Sequence, residues 1–290
     1  MPNTDRRKGM LELRSRLTWA VRCFFHRAGY LEIDTPVRVP TPAMELYINA
    51  EPSGEGFLRT SPELHMKRLL AAGHEKIFQI GPCFRAGEAG THHRPEFTLL
   101  EWYRTGTDAA GILEETKALL HFVAGELHLR EKDLGAWEIL EVAEVFERHA
   151  GWNPLRDFDA DRFDQDLVDK VEPALSHEHP VVLQHYPAER GALARLKPAD
   201  PRVAERWELY LNGLEIANAY SELTDTDEQR RRFASWGRER ALMGKAVYAL
   251  DEEFLAALPH MPEAGGIALG MDRLAMFFCD TDDIHDVIAF

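Results

Sequence analysis

Apolar residues recur through 9–28 at Leu11, Leu13, Leu17, Ala20, Val21, Phe24 and Phe25, a spacing that predicts an amphipathic helix ended by Gly29. Residues 30–36 (YLEIDTP) alternate apolar and polar and stop at Pro36, which predicts a strand. The stretch 41–56 carries turn residues at its end and is expected to be a loop. Ser61 at a cap, Pro62 at the first helical position and Gly73 past the last turn frame a second helix. Residues 76–84 (KIFQIGPCF) and 96–103 (EFTLLEWY) read as strands, joined by a long hairpin loop over 85–95. Helical patterns without recognisable chemistry fill 108–175, as an insertion or connection. Strands return at 180–185 and within 205–220, a charged helix covers 225–243, and a strand at 266–269 leads into a helix after Gly270. This order predicts an α+β fold, an antiparallel sheet flanked by helices, in a single domain spanning 1–290.

Composition narrows the classes. Apolar residues make up 45% and charged residues 29%, ordinary for a globular chain. No segment approaches the ~20 apolar residues of a membrane span, and the N-terminal stretch lacks the apolar core of a signal peptide. Cys23, Cys83 and Cys279 are too few and too scattered for a disulfide framework or a zinc site and are expected to be structural. A cytoplasmic location is expected. The formal net charge of −15 argues against a broad nucleic-acid surface. It leaves room for a local cationic cleft, because a few clustered arginines can hold a polyphosphate inside an acidic envelope.

Candidate chemistry sits in two stretches, FRAGEAGTHHRPEFTLLEWYR at 84–104 and GIALGMDRL at 266–274. Together they resemble motifs 2 and 3 of class II aminoacyl-tRNA synthetases. The helix, strand and Pro36 at 9–36 are similar to motif 1, the dimerisation element. Within that family the chain most resembles the lysyl-tRNA synthetase branch, and there the short paralogues that attach lysine to elongation factor P. The resemblance covers nearly all of the chain and is weakest over 108–175. It implies a class II catalytic domain without an anticodon-binding domain, ATP and Mg²⁺ as co-reactants, and a homodimer.

The resemblance also assigns roles. Arg85 would touch both the α-phosphate of ATP and the substrate carboxylate, a task for a planar fork that stays charged. Arg273 would grip the far phosphate from the start of its helix. His93 would contact phosphate and Phe97 would stack on adenine. Glu88 would replace the glutamate beside the adenine amino group, since this chain reads Phe84-Arg85-Ala86-Gly87-Glu88 where the family has Phe-Arg-Asn-Glu. Glu208 and Glu215 match the Mg²⁺ ligands. They lie seven apart, which on a regular strand points them to opposite faces, so a turn or bulge near Asn212-Gly213 must re-aim one.

For the amino acid, Glu63 would hold the α-amino group and Asn218 would lie near the carboxylate. Glu101, Tyr103 and Glu222 would recognise the ε-ammonium. Two carboxylates and a phenol suit a cation, because a neutral ligand would leave buried charge uncompensated. Ser61 and Ala268 stand where lysyl-tRNA synthetases have alanine and glycine. Both resemble the elongation factor P branch, where they go with (R)-β-lysine rather than α-lysine. The acceptor is then expected to be elongation factor P, with no stable tRNA binding. Two other readings stay open: a stand-alone enzyme that charges tRNA, and a silent binder of ATP or amino acid. An aspartate-amidating relative fits poorly with the Glu101, Tyr103 and Glu222 set.

Overall fold

The computed structural model describes residues 4–129, 132 and 134–289. The fold is α+β and forms two compact units. The first takes the chain up to Gly106, Thr224–Ala264 and the residues from Ala268 on; the second takes Thr107–Leu223 with Gly265–Ile267.

In the first unit the opening helix, Thr4–Arg27, buries Leu17, Val21 and Phe25, spaced by four so that they share one face. Phe25 stacks on Phe78 at 4.7 Å and packs on Trp102 at 5.1 Å, which fastens the helix to the sheet. Lys76–Phe84 pairs antiparallel with Glu96–Thr105 without a break, from Lys76 opposite Arg104 to Phe84 opposite Glu96. The expected 30–36 strand is shorter: only Leu31–Glu32 enters the ladder, parallel to Lys76–Phe84. The 41–56 stretch is not simply a loop. Pro52–Ser53 and Gly56–Leu58 form a hairpin that Arg38–Val39 extends to three strands. Strands of two or three residues carry no readable period, which is why this sheet escapes pattern reading.

Two polar anchors hold the first unit's irregular parts. The fully buried Arg240, on the Thr226–Leu242 helix, donates to the carbonyls of Glu45, Ile48 and Ala246 and to Asn49 Oδ1. Arg14 pairs with Asp272 and donates to Thr98 Oγ1 at 3.1 Å, while the Thr98 N–H donates to Asp272 Oδ2 at 2.8 Å. The first helix, the strand carrying Phe97 and the helix carrying Arg273 are therefore tied at one point.

In the second unit Arg206–Leu211 and Leu214–Ser221 form an antiparallel hairpin, with Val181–Gln184 antiparallel on the other side of the first of them. The 108–175 region is mostly helical, but it also contains a strand, Glu138–Glu141, parallel to Val181–Gln184. Four residues reading Glu-Ile-Leu-Glu are too few to stand out from neighbouring helical patterns. The pairing is thus mixed: antiparallel in the hairpins, with Leu31–Glu32 and Glu138–Glu141 each parallel to its neighbour. Phe146 and Phe163 stack at 4.6 Å in a core completed by Tyr186 and Tyr210. Among the described residues no helix is long and apolar enough to cross a membrane.

Candidate active site

Arg85 follows directly on Lys76–Phe84, and its N–H donates to the Pro95 carbonyl at 2.8 Å, pinching the base of the 85–95 loop. Its guanidinium carbon lies 4.9 Å from the Phe97 ring centroid, and Glu88 stands 4.0 Å away. Its Nε is buried with no hydrogen-bond partner among the described residues, so a donor is held ready for an acceptor. Arg273, in the first turn of Met271–Cys279, brings Nη2 to 2.6 Å from His93 Nε2. Burial and the Arg273 charge lower the His93 pKa, so its ring is neutral and Nε2 accepts from Arg273. Glu88 and Arg85 are also close enough to bias His93. Five residues named separately from the sequence, Arg85, Glu88, His93, Phe97 and Arg273, thus share one neighbourhood with two fixed guanidinium groups.

A second cluster in the same unit is built on a carboxyl. Glu101, on Glu96–Thr105, is buried and accepts from Ser61 Oγ at 2.5 Å and from Tyr103 OH at 2.9 Å. Burial, with Glu63 adding to it, pushes the Glu101 carboxyl up to about 8. Glu63 opens the Glu63–Ala71 helix, which starts one residue later than expected, with Pro62 just outside it. Ser61 Oγ still accepts from the Glu63 N–H at 3.0 Å, so the same hydroxyl orders the helix start and touches Glu101. Lys67, buried on that helix, donates to Glu63 Oε1 at 2.5 Å. Pattern reading passed over Lys67, although the Glu63/Lys67 spacing of four was visible as a helical ion pair. Ala268 lies half-buried on Ala264–Gly270.

The second unit holds the remaining candidates. Asn212 (φ 53°) and Gly213 (φ 72°) make the hairpin turn with two positive φ angles, and the register slips by one residue after Leu209. Leu209 faces Ala217 but Tyr210 faces Glu215, leaving Ile216 as the extra residue. Glu215 therefore lies on the face of Tyr210 and Glu208, and its charge acts on Tyr186, Arg206 and Tyr210. Both the turn and the bulge anticipated from the spacing are present. Glu208 is buried; its Oε2 accepts from Tyr186 at 2.5 Å and Tyr210 at 2.9 Å, and its Oε1 pairs with Arg206. Arg206 also donates to Asn218 Oδ1 at 3.1 Å and lies 4.4 Å from the Tyr186 ring centroid. Glu222 is buried at a bridge to Ala194.

The donor set bears on the expected metal. Among the described residues no group of three or more His, Cys, Asp or Glu could by itself hold an ion. Two carboxylates on one face suit Mg²⁺ arriving with a polyphosphate, since this ion uses one or two protein carboxylates and completes its shell with phosphate oxygens and water.

With this geometry in place, similarity to known proteins supplies the family. The model for class II tRNA synthetases (D, K and N) matches residues 2–290. Proteins named elongation factor P–(R)-beta-lysine ligase are similar along their length. The one from Sodalis glossinidius is 38% identical over 96% of this chain and 93% of its own. That from Pectobacterium carotovorum is 38% identical with the same coverage, and that from Haemophilus influenzae strain PittGG is 39% identical over 96% and 93%. The chain belongs to the class II tRNA synthetases of the D, K and N group.

Proposed function

We propose that this protein activates a lysine-type amino acid, (R)-β-lysine ahead of α-lysine, and transfers it to a lysine side chain of elongation factor P. In the first step a substrate carboxylate oxygen attacks the α-phosphorus of ATP, forming the aminoacyl-adenylate and expelling pyrophosphate. In the second, the acceptor lysine ε-amine attacks the activated carbonyl carbon and AMP leaves. The anhydride is already reactive, so no enzyme nucleophile is needed, and Cys23, Cys83 and Cys279 stay structural.

Two anions meet in the first step, so cations decide its rate. Arg85 holds the α-phosphate and the substrate carboxylate through the fork that has a buried donor to spare. Arg273 takes the far phosphate, with neutral His93 behind it. Phe97 offers the adenine face and Glu88 its amino-group partner. Glu208 and Glu215 would hold Mg²⁺, which supplies charge neutralisation on the phosphates when bound. Glu63 receives the substrate amino group next to the activated carboxylate, and Asn218 orients the carboxylate. Glu101, Tyr103 and Glu222 take the distal ammonium, while Ser61 and Ala268 shape the site around the substrate backbone. The Thr4–Arg27 helix would join two copies; Trp19 and Leu31 expose large apolar surface there, which supports that role.

The observation that carries this reading is Glu101. A buried carboxyl that accepts from two hydroxyls and keeps its proton up to about 8 lacks a cationic partner, and an ammonium supplies one. The test is lysine-dependent ATP–pyrophosphate exchange, followed by labelled lysine isomers offered with elongation factor P or with tRNA. Label on the factor, with (R)-β-lysine favoured, is expected. Exchange with label on tRNA alone would replace the reading by the tRNA-charging one, and no exchange would leave a silent binder.

A further inference from the structure

Lys67 has no part in the adenylation scheme, yet it is among the largest fully buried side chains of the protein. A buried ammonium is costly unless paired, and this one donates to Glu63 Oε1 at 2.5 Å, one helical turn back. The same helix start reaches Glu101 through Ser61 Oγ, so an internal cation lies in the pocket where a substrate cation is to bind. We propose that Lys67 is a specificity-determining positioning residue: it holds Glu63 in place and offsets its charge, so that Glu101 and Tyr103 remain to select the incoming ammonium. The proposal rests on the lysine-activating reading above.

Charge counting gives the reason. Without Lys67 the Glu63 charge would act on Glu101 unopposed, and Glu101 would hold its proton to still higher pH. A protonated Glu101 lacks the charge that attracts an ammonium, so the substrate must displace that proton to bind. Lys67 already pulls the Glu101 carboxyl down, against burial and Glu63, which push it up. The groups facing Glu101 are Glu63 and Lys67 from the helix, Ser61 before it, Tyr103 on its own strand, and Cys83 on the paired strand, whose thiol burial and Glu101 hold up at about 12. Arg59 and Arg85 act on Cys83 in the opposite sense.

The experiment is the pH profile of kcat/KM for lysine in pyrophosphate exchange, with Mg·ATP-induced thermal stabilisation as the folding control. Lys67→Met should raise the KM for lysine at least tenfold at pH 7 and move the acid limb of the profile to higher pH. The KM for ATP should stay within about twofold. Glu63→Gln leaves Lys67 as the uncompensated partner and should move that limb to lower pH; it carries the test alone if Lys67→Met does not fold. The double variant should bring the limb back toward its wild-type position. An acid limb that stays put in the folded variants, whatever their stability, overturns the proposal. A wild-type protein without lysine-dependent exchange defeats the underlying reading instead, so the two failures are distinguishable.

Discussion

Glu101 keeps a proton in the folded chain that the unfolded chain loses. Its carboxyl is raised from 4.5 to about 8, so the native state binds more protons between those values. Stability linked to this group is therefore complete below pH 4.5 and falls as pH rises toward 8, staying low above it. Glu101→Gln should leave melting unchanged near pH 4.5 and stabilise the ligand-free protein at pH 8.5, by roughly 1–3 kcal/mol. The same variant should lose most lysine-dependent exchange, and equal melting curves at pH 8.5 would mean that Glu101 is not protonated in the fold. Arg85 makes the complementary case. Arg85→Ala should reduce pyrophosphate exchange by ~100-fold or more, of the size seen when a transition-state donor is removed. Lysine at this position should recover only part, since it keeps the charge and loses the fork; full activity in Arg85→Ala would take the residue out of the phosphate site.

The hairpin of Arg206–Leu211 and Leu214–Ser221 shows what one inserted residue does to an element. Ile216 is the residue without a partner opposite, so deleting it restores regular pairing and keeps Glu215 opposite Tyr210, on the face of Glu208. Mn²⁺ binding in the presence of ATP, followed by electron paramagnetic resonance, should persist in that variant and weaken about tenfold or more in Glu215→Gln; unchanged binding in Glu215→Gln would separate Glu215 from the metal. Gly213→Ala is a milder probe, because a Cβ there meets the His177 ring at 2.5 Å with φ at +72°. It should destabilise by about 1–2 kcal/mol without changing the register. This hairpin also marks how far a sequence can be read. The seven-residue spacing of Glu208 and Glu215 demanded a correction to the strand, and Asn212-Gly213 named the turn. Nothing in the local pattern singled out Ile216, since its placement depends on which residue of the opposite strand it skips. The long helices and the 76–105 hairpin were legible because they extend over several periods, whereas Arg38–Val39, Glu138–Glu141 and the two-residue Leu31–Glu32 gain their structure from partners far along the chain. Site residues were legible as types in order, but their mutual contacts were not. Arg206, Tyr186 and Tyr210 around Glu208, and Lys67 beside Glu63, became visible only once the strands and helix were placed.

At the scale of the molecule the net charge of −15 becomes a kinetic statement. An acceptor whose target lysine lies in basic surroundings should associate faster at low salt, and the rate should fall as ionic strength shortens the reach of the field. Transfer to elongation factor P is expected to slow between 20 and 300 mM salt, roughly tenfold, while pyrophosphate exchange with small substrates stays nearly level. A salt-independent transfer rate would remove electrostatic steering from the account. Chain connectivity has a different outcome. Arg7 donates to the carbonyls of Ile288 and Ala289 at 3.0 and 2.6 Å, and Arg14 to that of Val287 at 2.9 Å. The Thr4–Arg27 helix thus waits for acceptors 281 and 282 residues further along the chain, while the second unit, apart from Gly265–Ile267, is continuous from Thr107 to Leu223. On a ribosome the second unit should become protease-resistant while the first is still open, and stalled chains of increasing length would reveal that order. Until residues 287–289 have left the ribosome, the helix expected to join two copies is without these contacts, so any pairing through it should come late.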